Sequence, residues 1–191
     1  MIFETIVITT DIAGNPHVTP FGVQYQGNLV VIKPFRPSAT LENILVTKCA
    51  VINSTDDVCV FAGALTGKKA WQLKSASCIQ GFVLDGALAH RELTLVEVKE
   101  DAIRPTLHFE TVHQVNHQPF LGYNRAQAAV IELAVLASRL HSLPIEKIIA
   151  EMQYLQIAIN KTAGQRELLA WSWLSEKIEN YQAESDGNNL A

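Results

Sequence analysis

The sequence predicts an α+β protein, mainly a barrel of antiparallel strands, followed by a three-helix C-terminal segment. Three observations lead there. Short runs rich in Ile, Val and Thr recur up to about residue 121, with Gly, Pro, Asn and Asp between them. No helix alternates regularly with those runs, as a parallel sheet would require. Beyond Gly122 the apolar residues recur at helical rather than strand spacing. The expected organisation is a barrel over 1–121, a helical domain over 122–183 and a flexible polar tail over 184–191.

Glu4–Thr10 opens the barrel, and the turn cluster Asp11–Pro16 ends that strand. His17–Tyr25 follows, and Gln26-Gly27-Asn28 turns the chain into Leu29–Lys33. A short helix is predicted over Ser38–Thr47. Further strands are expected at Cys49–Asn53, Val58–Ala62, Ile79–Leu84, Ala87–Val98 and Thr106–Val115. Asn124 can cap a helix running to about His141. Pro144 opens a second, with Ile145, Ile148, Ile149, Met152, Leu155 and Ile159 along one stripe, and Gly164 suits the position after its end. A third carries Leu168, Trp171, Leu174, Ile178 and Tyr181 on one face, with Trp173 off that stripe. Such stripes are the mark of packed helices.

Composition removes several function classes. Of 191 residues, 15 are Lys or Arg and 19 are Asp or Glu, a net charge of −4. No basic stripe exists to displace counterions, so a nucleic-acid partner is not expected. Met1–Thr5 has neither the cationic nor the apolar part of a signal peptide. The longest apolar stretch, Ala126–Ala137, contains Gln127 and Glu132 and is too short to span a bilayer. Three cysteines, Cys49, Cys59 and Cys78, form no C-x-x-C pair and fit reduced thiols in a cytoplasmic protein.

Two places carry chemistry suited to an anion. In Lys33–Asn43 the chain leaves a strand and enters a helix. Arg36 brings a planar fork of donors, Ser38 and Thr40 bring hydroxyls, and the helix start brings free N–H groups. That set can hold a phosphate monoester; it can equally be a Ser N-cap beside a solvated Arg. The second place is Asn124-Arg125, where a cation in the first helical turn opposes the dipole unless an anion lies near. Arg125, Glu132 and Arg139 are spaced by seven on one helix face, about 10 Å apart in successive pairs, too far to pair with one another. Glu132 and Arg139 read as structural.

Other signals fail. Gly63-Ala-Leu-Thr-Gly67-Lys68 is one residue short of a P-loop. His108, His113 and His117 lack the spacing of a shared metal site, and no metal is expected. No G-x-S-x-G elbow or nucleophile–base set appears, so no catalytic residue is assigned.

Glu4–Thr10, Gly14-Asn-Pro-His-Val-Thr-Pro-Phe-Gly22, Arg36-Pro-Ser-Ala-Thr40-Leu-Glu-Asn43, Val51-Ile-Asn53 and Asn124-Arg125-Ala126 stand in an order that resembles one family over nearly the whole chain. It is similar to the FMN-binding split β-barrel proteins of domain-of-unknown-function family 447, distant kin of flavin reductases. Phe21 stands where that family commonly has Met, and 105–122 is less like it. The resemblance implies an FMN-binding split β-barrel working as a homodimer, with FMN at the interface. Arg36, Ser38, Thr40 and Asn43 would lie near the phosphate, with Asn124 and Arg125 contributing. Phe21, Gly22 and Asn53 would lie against the ring or ribityl chain. The expected activity is that of a cytoplasmic oxidoreductase passing hydride or electrons through the flavin, to or from a small molecule or reduced nicotinamide. A non-catalytic flavin carrier or regulatory protein, linked by analogy to tetrahydromethanopterin one-carbon metabolism, is the alternative.

Overall fold

The computed structural model describes residues 1–69 and 71–188, which fall into two compact units. The first holds Met1–Asp56 and Trp71–Phe120. Its strands β1 (Phe3–Thr10), β2 (Pro16–Gln26), β3 (Leu29–Ile32), β4 (Cys49–Ser54), β7 (Ala89–Lys99) and β8 (Thr106–Asn116) close an antiparallel barrel in the order β1-β2-β3-β8-β7-β4. Side chains alternate across a strand, so one set faces inward. Val7, Val23, Ile32, Ile52, Leu93, Leu107 and Phe109 are that set and form the barrel core. Helix α1 (Ala39–Thr47) adds Leu41 and Ile44 to it.

Strand β1 is buried on both faces from Thr5 to Thr10. Its outward residues Ile6 and Ile8 are covered because a separate ribbon, β5 (Leu73–Ser75) with β6 (Phe82–Leu84), lays β6 over β1 and β4. The strand expected at Ile79–Leu84 is therefore only Phe82–Leu84. Its partner β5, three residues long, offers too little pattern to read.

The strand expected at Val58–Ala62 is a helix, α2 (Val58–Thr66). Asp57 caps it by accepting from the Cys59 amide at 3.1 Å, and Gly67 ends it at φ 75°. Every residue from Val58 to Gly63 is buried, so no polar phase marks a helical period.

The second unit holds α2 together with α3 (Arg125–Ala137), α4 (Ile145–Thr162) and α5 (Gln165–Asn188). Small residues on α3, Ala126, Ala129 and Ala137, let the helices approach, and with Leu133 they share one core with Ile148, Ile159, Trp171, Leu174 and Ile178. Trp173 is half-buried against this same core, with the Lys68 ammonium 5.9 Å from its ring centre. Gly164 ends no helix in a left-handed turn. Ala163 closes α4 in extended backbone, and the Gly164 N–H donates to Glu167 at 3.0 Å as α5 begins. Helix α5 continues through Asn188, covering much of the expected flexible tail; 189–191 lie outside the described residues. No helix among the described residues is long and apolar enough to cross a membrane.

Asn124 caps α3 as expected. Its Oδ1 accepts from Ala126 (2.8 Å) and Gln127 (3.3 Å), while its Nδ2 donates to the Thr162 carbonyl at the end of α4 (3.1 Å). Asn124→Ala is expected to cost about 1–2 kcal/mol, the high end for a lost cap, because both ends of the side chain are engaged. Urea unfolding followed by helical circular dichroism measures it.

Candidate functional site

In the first unit the chain leaves β3 at Ile32 and reaches α1 through an exposed loop. Ser38 stands before the helix in extended backbone, and its Oγ accepts from the Leu41 amide at 3.3 Å. That is an ordinary N-cap, yet the hydroxyl keeps its own hydrogen to donate outward. Arg36 is exposed; its backbone N–H donates to the Ile103 carbonyl at 2.8 Å and its Nη2 to Glu100 at 2.9 Å. A single exposed partner leaves most of the five-donor fork available.

The β7–β8 turn braces this loop. Asp101 accepts from the amides of Arg104 (2.7 Å) and Ile103 (2.8 Å), bonds that hold its carboxyl below the ordinary value. Arg104 then donates to the Lys33 carbonyl at 3.1 Å and lies 4.4 Å from the centre of the Phe35 ring. Arg104 is a positioning residue missed in the sequence; only Asp101-Ala-Ile-Arg104-Pro105, a turn pattern, hinted at it.

Along α1 the candidates diverge. Thr40 is buried at 3% exposure. Asn43 is half-buried and donates to Thr9 Oγ1 at 3.1 Å, fastening α1 to β1.

The adjoining half of β2 is open. Pro16–Val23 pair with β1, while β3 pairs only with Val23–Gln26. From His17 to Gly22 every side chain is half-exposed, and the β3-side edge has no ladder partner among the described residues. Helix α1 packs on β1 and β2, and its Asn43 reaches Thr9, the register partner of His17 at the open part of β2. Phe21 lies on it, half-packed on the barrel core, with its carbonyl accepting from Thr5 Oγ1 at 3.0 Å. Gly22 sits there too, and a Cβ on it would come within 2.8 Å of Ile2 Cγ2. Burial pushes the His17 imidazole below its ordinary pKa.

Asn53 faces outward from the barrel, opposite to its neighbour Ile52, and lies beneath the β6 ribbon. It is fully buried; Nδ2 donates to the Ile6 carbonyl (3.3 Å) and Oδ1 accepts from the Leu84 amide (2.9 Å). Its carboxamide ties β1 to β6. In the second unit, Asn124 is likewise engaged at both ends, whereas Arg125 is exposed and makes no hydrogen bond or ion pair among the described residues. It lines a groove between α3 and α4 with Glu132, Tyr154 and Ile157.

A closed antiparallel barrel with a half-open strand and a donor-rich helix start beside it is the split-barrel fold. Two solved structures with that fold share it at low identity. A putative flavin reductase with a split barrel domain from Shewanella frigidimarina superposes with TM-score 0.54 at 16% identity, over 65% of this chain and 74% of its own. The 2-nitrobenzoate 2-nitroreductase NbaA of Pseudomonas fluorescens gives 0.54 at 19%, over 60% and 64%. The FMN-bound protein MM1853 of Methanosarcina mazei gives 0.79 at 21%, over 92% of this chain and 94% of its own. No curated protein matches the sequence. Two family models, the N-terminal domain of the DUF447 proteins of unknown function over residues 3–118 and their C-terminal domain over 124–176, cover most of the chain. The protein belongs to the DUF447 family.

Proposed function

We propose that this protein binds FMN, its phosphate at the start of α1 and its ring over the open half of β2, and that it works as a cytoplasmic homodimeric oxidoreductase. One observation carries the reading: an exposed arginine leads into a helix that packs on β1 and β2, and part of β2 has an open, half-apolar edge. That pairs an anion site with a flat apolar platform, the two ends of a flavin mononucleotide. The DUF447 relative described as FMN-bound supports it. Bound there, FMN would supply hydride and electron transfer.

The chain's own residues would bind and orient. Arg36 pairs with phosphate through its fork, and Ser38 donates its hydroxyl hydrogen while still capping α1. Asn43, with Thr40 inside, holds the helix start in place. Phe21 gives the ring an apolar surface, and Gly22, whose side-chain space is taken by Ile2, would meet it only through its backbone at the strand edge. Asn53 and Asn124 serve the framework, because their polar atoms already have partners. Arg125, in the second unit, is an exposed cation whose side chain has no ion pair among the described residues. The unpaired β2 edge is the surface a second copy would cover, with FMN at the interface.

Flavin titration tests this. Flavin-free protein should take up FMN, and Arg36→Ala should weaken it about 10- to 150-fold, one charge-assisted hydrogen bond's worth. Stability should change by less than about 1 kcal/mol, since the Arg36–Glu100 pair is exposed. Arg125→Ala, titrated in parallel, should also weaken FMN. Failure of the wild-type protein to bind FMN overturns the proposal. A monomeric mass by light scattering with FMN bound removes the dimer. Bound FMN that no reduced nicotinamide reduces leaves a carrier.

A further inference from the structure

We propose that His90, Glu92 and His113 form a binding site for one divalent transition-metal ion of the Zn²⁺ kind. His90 and Glu92 lie two apart on β7 and so share a face. His113 on β8 stands opposite Glu92 in the sheet register, which brings it to the same face. One ligand atom from each lies within 4.8 Å of the others.

The buried pair already has metal-site spacing. His90 Nε2 is 3.4 Å from Glu92 Oε1 without hydrogen-bond alignment, and the two side chains are 4% and 0% exposed. The edge of a tetrahedron with bonds of about 2.0–2.1 Å is about 3.3–3.4 Å. His90 Nε2 finds no hydrogen-bond partner among the described residues. A buried nitrogen left unpartnered, facing a carboxylate, is what a cation between them satisfies.

Supporting contacts orient both ligands. His90 Nδ1 lies 2.8 Å from His117 Nε2, and the rings stack with centres 5.0 Å apart. With Nδ1 as the donor in that pair, Nε2 turns its lone pair toward Glu92. The Glu92 carboxylate accepts from the amides of Ser77 (2.7 Å), Cys78 (2.6 Å) and Ile79 (3.1 Å), fixing its plane. Hydrogen-bonded ligands of this sort are the rule around protein metal ions. His113 is half-buried, and its ligand atom lies within 4.8 Å of those of His90 and Glu92. Two imidazoles and a carboxylate favour Zn²⁺, Co²⁺ or Ni²⁺ over Mg²⁺, and three ligands leave a position for water.

The sequence concealed this site. His108, His113 and His117 do not act together, since His108 faces Glu97 at 3.4 Å. The site's members come from two strands whose register joins residues 21 apart.

Equilibrium dialysis of tag-free, EDTA-treated full-length protein against micromolar Zn²⁺, with excess Mg²⁺ present, tests it. One Zn²⁺ per chain and a raised Tm are expected. His113→Gln should lower affinity by at least about 100-fold, a whole ligand mattering more than the 10–100-fold of a supporting contact, while keeping the wild-type circular dichroism. His90→Gln should act alike; should it fail to fold, His113→Gln alone decides. Cys78→Ser should bind as wild type does. No Zn²⁺ on the wild-type protein, displacement by Mg²⁺, or undiminished binding in His113→Gln overturns the site.

Discussion

Glu92→Ala, measured in metal-free protein, is expected to lose about 2–4 kcal/mol of stability. The carboxylate has no exposed surface, and burial alone would raise its pKa. The amides of Ser77, Cys78 and Ile79, with His90 beside them, outweigh that and hold it below the ordinary value. Hydrogen bonds to a charged acceptor are worth about 1.5–3 kcal/mol each. Removing it strands three donors together, and the full sum is not reached because a loop can turn partly to water. Glu92→Gln keeps an acceptor oxygen but sets an NH₂ against the amides, and should fall between Ala and wild type. The exposed pair Lys74–Asp85, 3.5 Å apart, gives the contrast: Asp85→Asn should stay within about 0.5 kcal/mol. Urea unfolding of the three variants in EDTA measures this. A loss below 1 kcal/mol in Glu92→Ala would mean the Ser77–Ile79 loop holds its shape unaided.

Asn53→Ala should cost about 2–4 kcal/mol, the other large effect. It removes two buried hydrogen bonds, takes away the acceptor of the Leu84 N–H, and opens a small cavity. FMN affinity of the folded variant should fall far less than in Arg36→Ala. Melting curves and FMN titrations on both variants separate framework from binding. A variant of wild-type stability that no longer binds FMN would return Asn53 to the flavin surface.

Much of the barrel was legible because its strands alternate or are uniformly β-branched, and turn residues such as Asp11–Pro16 punctuate them. Helix α2 was not, since Val58–Gly63 is buried on all sides and shows no period. The site divides the same way. Ser38 and Asn124 were readable as caps because capping is a local act of one side chain on the next turn. Asn53 looked like a ligand residue, and only the β6 ribbon lying over β1 and β4 reveals what its carboxamide serves.

The sequence by itself determined the antiparallel barrel, the α1 start with its exposed Arg36, and the capped helix carrying Arg125, for these depend on neighbours within a few positions. Tertiary structure alone decided the open half of β2, the bracing of the Lys33–Pro37 loop by Arg104, and the meeting of His90, Glu92 and His113. Each of those rests on strand register and chain crossing, which bring together residues far apart in the sequence, and no local spacing encodes them.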